Sequence, residues 1–420
     1  MPRTPESQAR INRIVFINTD GQLETIAPDG SDPHLLGRGP EVYQFPAWSA
    51  DGQHIAAVGG TEDTAAIYLF EDDESVPVRQ LFFSRREVPV YLYWAPDNEH
   101  VSFIALRPSG DAFGLHLVSI DGEHTDRVLT MGRPCFWNWN AQGDEILLHT
   151  GFPGEENARL LFADPFDPNG IQDDDNIARP GLFQSPSFSS TGRNWAFAHL
   201  NEQDESEIII DGHGMDEQTV EISHFGVAAM NWNPTREILA FISAPGPSRN
   251  AYGPLRLVDP THDWSEQVET ITDDLVIAFF WSPDGESLAY FTLADAYDRV
   301  KPLIDVDPHQ FDLDGGTVRE PEPDSTQPLH LNLFVLNLDD DDEPRLLLTF
   351  QPIDIFTNRF LPFFDQFAFS HRIWSPDSDA IVLSVIEKDE PRIIVVPIRG
   401  VEQARPRVLA NGLMAFWSWT

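Results

Sequence analysis

A chain of 420 residues, 41% hydrophobic and 11% aromatic, carries enough apolar surface for a large core, which excludes disorder over most of its length. Its 68 acidic residues against 27 Lys and Arg give a net charge of −41, a surface that repels phosphate backbones and anionic headgroups and excludes nucleic acid as a partner. The single cysteine, Cys135, excludes an internal disulfide and a cysteine-based zinc cluster; within Pro134-Cys135-Phe136-Trp137 it reads as a small buried hydrophobe.

Residues 1–12 are polar, lack the apolar centre of a signal peptide and are expected to form a disordered tail. No later stretch has the length of a membrane span, so the expectation is a cytoplasmic protein with no direct membrane insertion. Ile14-Val15-Phe16-Ile17, Leu23-Glu24-Thr25-Ile26 and His34-Leu35-Leu36 then read as three short strands. From there an aromatic residue before a tight turn returns at Trp48, Trp94, Trp139, Phe188, Trp232, Trp281, Trp374 and Trp417. The spacings are 46, 45, 49, 44, 49, 93 and 43 residues, and six of them fit a four-stranded propeller blade. A helical repeat of that length would show an apolar period of about 3.6, which is absent.

The turns run from Ser49-Ala50-Asp51-Gly52 through Ser282-Pro283-Asp284-Gly285 to Ser375-Pro376-Asp377-Ser378. Pro presets φ, Asp bonds its own backbone and Gly accepts a positive φ. A second strand follows each turn, as in Ile55-Ala56-Ala57 and Leu288-Ala289-Tyr290. A third follows, as in Leu333-Phe334-Val335-Leu336, and then a short fourth, as in Arg127-Val128-Leu129-Thr130. The doubled interval before Trp374 holds two insertions and no further turn phrase. One, at about 297–328, is rich in Asp, Pro and Gly; the other, 350–370, carries Phe350, Phe356, Phe360, Phe363, Phe364, Phe367 and Phe369.

Leu413-Met414-Ala415-Phe416-Trp417 is a first strand with nothing after it, and the three N-terminal strands lack a first strand. Joining them removes two open sheet edges. The expected fold is therefore all-β: a single domain over 13–420, an eight-bladed β-propeller of four-stranded antiparallel blades, closed by N- and C-terminal strands in one blade. A seven-bladed ring is the alternative if the Phe188 repeat is misread.

The phrase Phe280-Trp281-Ser282-Pro283-Asp284-Gly285-Glu286-Ser287-Leu288-Ala289-Tyr290 resembles the TolB-type, or WD-like, propeller repeat. The resemblance covers essentially the whole chain, strongest at Trp281 and Trp374, good at Trp48 and Trp94, degenerate at Trp139, Phe188 and Trp232. It implies a propeller that binds other proteins or, in some relatives, shields or carries an enzyme active site. Compared with TolB itself the chain has more blades and lacks an export signal and a separate N-terminal domain, so envelope translocation is not implied. It also resembles the propeller half of prolyl-oligopeptidase-type enzymes, with no residues left for their hydrolase domain and no Gly-x-Ser-x-Gly elbow.

In such a ring the turns between strands one and two share a face with those between three and four. That face collects Asp51, Asp72, Asp73, Asp97, Asp121, Asp144, Asp284, Asp377 and the run Asp339 to Asp342. The opposite face collects Arg38, Arg85, Arg86, Arg133, His224, Arg359, His371 and Arg372. Arg and aromatic residues dominate interface hot spots, so Arg85, Arg86, Arg133, Phe356, Arg359, Phe360, Phe363, Phe364, His371 and Arg372 are the expected partner-binding set. The competing reading folds the phenylalanines back as a satellite core under their own loop and pairs the arginines with carboxylates.

The runs Asp339 to Asp342 and Asp173 to Asp175 lack the spaced oxygens and sharp Gly of a calcium loop and read as solvated hairpin tips. No cofactor is expected, with calcium or another divalent metal left as an open alternative. The functional expectation is a non-enzymatic protein-interaction scaffold, within or outside a larger assembly. The alternative is a metal-dependent lyase or hydrolase-type propeller enzyme acting on a polysaccharide or peptide at the channel mouth. For that reading His149 and His199 are one candidate pair and His224 and His371 another.

Overall fold

The computed structural model describes residues 12–122, 127–168, 170–171, 176–212, 219–247, 252–260, 268–294, 328–338, 343–398 and 405–420. Both Asp runs, the tail through residue 11 and the 297–328 insertion up to residue 327 lie outside them. The described residues are nearly all β, in antiparallel sheets whose strands follow one another in chain order.

The repeated phrase folds as its residues dictate. Strand Val268–Trp281 ends on the aromatic, and Gly285, at φ 71°, closes the turn by donating its N–H to Ser282 O at 2.9 Å. Ser282 Oγ donates to Asp284 Oδ1 at 2.5 Å, and that oxygen also accepts the Glu286 N–H at 3.0 Å. Asp51 and Asp97 accept backbone N–H groups in the same way. The recurrent Asp is thus a turn-forming residue first.

Four strands, Val42–Trp48, Ile55–Thr61, Thr64–Phe70 and Arg79–Ser84, make one sheet; Val88–Trp94, His100–Leu106, Phe113–Ser119 and Arg127–Gly132 make the next. The Phe188 repeat is likewise four-stranded, from Ser187–Phe188 to Val220–Ser223. Cys135–Trp139, Ile146–Thr150 and Arg159–Ala163 form three strands. Strands from Phe225–Trp232 onward run as one hydrogen-bonded series, because a long strand ends one unit and begins the next. Arg407–Trp417 is such a strand: Arg407 to Asn411 pair with Glu390–Pro397, and Gly412 to Trp417 pair with Ile14–Asn18. Ile14 faces Trp417 and Ile17 faces Met414, so tail and head of the chain lie in one sheet. Arg13 braces this sheet against the neighbouring unit through Asp72, at 2.5 Å.

Successive residues of one strand pack into different cores: Ile55 and Ala57 into one, Ala56 and Val58 into another. Period-two alternation therefore buries both sheet faces against neighbouring sheets. The recurrent Trp fastens adjacent units directly. Trp94 Nε1 donates to Ala47 O at 2.9 Å, Trp232 to Ser187 O at 3.0 Å, Trp281 to Asn231 O at 3.2 Å and Trp374 to Phe280 O at 3.0 Å. Each acceptor immediately precedes the equivalent aromatic of the preceding unit. At the closing sheet this clasp is missing: the Trp48 and Trp417 indole N–H groups are buried without a partner among the described residues.

The unit of Trp374 departs from the pattern. Its first strand is split, with Gln351 and Pro352 pairing Ile386 and Val385, and Trp374 pairing Ile381. Between the two halves the chain leaves the sheet for residues 353–372 and folds into helical turns.

Candidate functional site

The excursion is a π-helical turn, Phe356–Phe360, a 3-10 turn, Leu361–Phe363, and an α-helical turn, Phe364–Phe367. Spacings of four, four and three put Phe356, Phe360, Phe364 and Phe367 on one side of these turns. The Phe360 ring lies 4.9 Å from Phe367, 5.6 Å from Phe416 and 5.9 Å from Phe280. Phe367 also meets Phe45 at 5.2 Å and Tyr91 at 4.9 Å, and Phe364 meets Phe279 at 5.2 Å. These partners belong to the first strands of several units, so the segment occupies the place where those strands converge and fills it.

Polar groups fix its depth. Gln366 Nε2 donates to Trp137 O at 2.8 Å and Tyr91 Oη at 3.2 Å, while Gln366 Oε1 accepts Trp137 N–H at 3.0 Å and Ser185 Oγ–H at 3.1 Å. Asp365, 0% exposed, accepts the Ser185 N–H at 3.1 Å, and burial pushes its carboxyl up to about 7. His371 has Nδ1 2.6 Å from Ser370 Oγ and Nε2 3.2 Å from Phe45 O; burial holds it down to about 3 and keeps it neutral. Phe45 itself sits at φ 49°, beside a register shift between Gln44 and Ala47, a costly conformation for a bulky residue that aims its ring at Phe367.

The residues of the expected docking surface lie in different surroundings. Phe356, Phe360, Phe364 and His371 are buried, and the three phenylalanines belong to the main core, where the competing reading had only a satellite. A buried phenyl is worth roughly 2 kcal/mol or more, which opposes its exposure to a partner. Phe363 is half-buried, 6.2 Å from Phe136. Arg85, Arg86 and Arg359 are exposed, and half-buried Arg133 donates to Gly110 O at 2.9 Å.

A different site lies where the first strands end. Phe363 meets Phe136 near the start of Cys135–Trp139, whereas Phe369 stacks at 6.1 Å on Tyr93 near the end of Val88–Trp94, so the segment runs along the axis and stops below that mouth. Above it remains a cleft of about 210 Å³ walled by Tyr93, Trp281, Phe369 and Trp419 and lined also by Asn231 and Arg372. The Arg372 guanidinium stacks 4.1 Å over Trp419 and donates from Nη1 to Trp419 O at 3.1 Å; Trp419 Nε1 donates to Trp48 O at 3.1 Å. Burial lowers Arg372 to about 10. Of the expected binding set only Arg372 and His371 line this cleft. Tyr93, Asn231, Trp281, Phe369 and Trp419 were not anticipated; the signal was present in the turn-side aromatics, which any ring must gather at one mouth.

The other histidines are occupied structurally. His149 stacks on Phe183 at 4.3 Å with Nδ1 2.8 Å from Gln184 O, His199 faces Glu207 at 3.5 Å, and His224 Nε2 lies 2.8 Å from Ser206 Oγ. Burial brings both His149 and His224 down to about 4. Among the described residues no three metal-ligating side chains come together, and no helix is long and apolar enough to cross a membrane.

No protein-family model matches the chain, and no curated protein matches it in sequence. Solved structures do. Dihydro-heme d1 dehydrogenase NirN is 13% identical over 100% of this chain and 78% of its own, with a TM-score of 0.51. The β-propeller domain of the Trilobed protease from Pyrococcus furiosus is 10% identical over 89% and 99%, with a TM-score of 0.48. TolB from Acinetobacter baumannii is 17% identical over 62% of this chain, which spans 65% of that TolB's length, with a TM-score of 0.38. Similarity at these identities concerns the fold and not the activity. The strand order and the recurring turn phrase are those of a β-propeller with TolB-like repeats.

Proposed function

We propose that the chain is an eight-bladed ring, closed by its own C-terminal strand, that works as a non-enzymatic binding platform for a protein partner in the cytoplasm. It needs no cofactor, and it holds the partner at the aromatic cleft. The observation that carries this reading is the character of the cleft's lining. Its titratable groups are Tyr93, His371 and Arg372; burial raises the first and lowers the second to about 3 and the third to about 10. None exchanges a proton near neutrality, so none is matched to general acid or base work, while rings, an amide and a guanidinium are recognition groups. The net charge of −41 favours protein over nucleic acid.

The test immobilises full-length protein, exposes it to extract of the cell that makes it and identifies what is retained. Wild type and Arg85→Glu/Arg86→Glu should keep the same partner, and Phe369→Ser, checked for an unchanged fold by circular dichroism, should lose it. Loss with the arginine pair alone would move the site to the other face, and retention of nothing would refute the platform reading.

A further inference from the structure

The cleft reading leaves open what chemistry fits it, and the state of Arg372 narrows that. The chain has 68 acidic residues for 27 Lys and Arg, yet no carboxylate among the described residues pairs with this guanidinium. Nη1 is committed to Trp419 O and one face to the Trp419 ring. Nε and Nη2 have no hydrogen-bond partner among the described residues, and they are the two nitrogens of the side-on fork that matches a carboxylate. The Asn231 carboxamide, also lining the cleft, is equally without an internal partner.

Size and field restrict the rest of the ligand. A cavity of about 150 Å³ holds benzene, so the cleft of about 210 Å³, open to solvent on one side, has room for one large apolar group and a carboxylate while the rest of a ligand extends outward. A net charge of −41 disfavours a dianion such as a phosphate monoester far more than a monoanion. Aromatic walls favour a flat or bulky apolar body over a sugar-like one.

Resting on the cleft reading above, we infer that this site recognises a carboxylate carried on an apolar group, the carboxylate closing on the Nε–Nη2 edge of Arg372 and the apolar group lying among Tyr93, Trp281 and Phe369. Two sources share that chemistry: the C-terminal residue of a peptide chain and a free small carboxylic acid. Asn231, lining the same cleft, is the group we assign to the amide next to a C-terminal residue, which a simple aryl acid lacks.

Calorimetry on the full chain tests this with N-acetyl-L-phenylalanine against its amide, and with a pentapeptide ending in Phe, C-terminus free or amidated. The acids should bind at least tenfold tighter than the amides. Arg372→Gln should abolish that preference and Arg372→Lys keep part of it. Should Arg372→Gln fail to fold, Arg372→Lys and Asn231→Leu, the latter weakening the peptide more than a simple aryl acid, carry the test. A free peptide binding as well as the acetylated amino acid identifies the chain end as ligand; exclusion of the peptide identifies a small acid. Equal affinity for acid and amide, a preference that survives Arg372→Gln, tighter binding of phenyl phosphate, or no binding at millimolar probe would each overturn the inference. A partner retained through Phe369 without any acid preference would sink this inference alone and leave the platform reading standing.

Discussion

The contacts between successive units and the segment lying among their first strands hold the molecule by opposite means. Between units, Trp94, Trp232, Trp281 and Trp374 each grip one neighbour, through one indole N–H to one carbonyl, as from Trp94 to Ala47 and from Trp374 to Phe280. At the centre a single segment touches many units at once, with Phe367 between Phe45 and Tyr91 and Gln366 reaching both Trp137 and Ser185. The first device is repeated, local and cheap to lose; the second is unique, and its loss is felt across the ring.

The largest effect should come from removing the strand that joins tail to head and packs Phe416 on Phe360 of the central segment. Removing Met414 to Thr420 takes away the strand that pairs with Ile14–Asn18, together with buried Met414, Phe416 and Trp417. Thermal unfolding should show a loss on the order of 6 kcal/mol or more, far beyond what seven frayed terminal residues would cause. At the centre, Phe360→Ala, at a side chain with 0% exposure, should cost about 3–5 kcal/mol in urea unfolding.

A third change sharpens the picture by pH. The Asp365 carboxyl, with a folded value of about 7 against 3.8 when free, favours the folded state only while protonated, so stability falls as pH rises from about 4 through 7. The full span is on the order of 4 kcal/mol, and Asp365→Asn should flatten the difference in melting temperature between pH 5 and 8 relative to wild type. The smallest effect belongs to the clasp. Trp94→Phe should cost about 1 kcal/mol more than Trp48→Phe, because the Trp94 indole N–H has an acceptor and that of Trp48 has none among the described residues.

What was legible in the sequence follows the same division. Ser-Pro-Asp-Gly after an aromatic is read directly because each residue has a local backbone role and the phrase recurs; the pairing of Leu413 to Trp417 with Ile14 to Ile17 followed from which strands each end lacked. The place of Phe356 to Phe369 was not legible. A run of phenylalanines states that something will be buried but not against what, and Phe45, Tyr91 and Phe416 come from parts of the chain with no local relation to it. Gln366 and Asp365 give still less signal, since polar residues in a loop are ordinarily solvated. The cleft was missed for the same reason: Tyr93, Asn231, Trp281 and Trp419 come from parts of the chain with no local relation to one another.

Hydrogen exchange over residues 364–371 tests the central claim most directly, since the Ala368 and His371 amides donate to Phe364 O and Phe367 O at 2.8 Å deep in the ring. The account predicts exchange as slow as that of the first strand Val88–Trp94. Exchange as fast as in the exposed turn at 107–111 would contradict it.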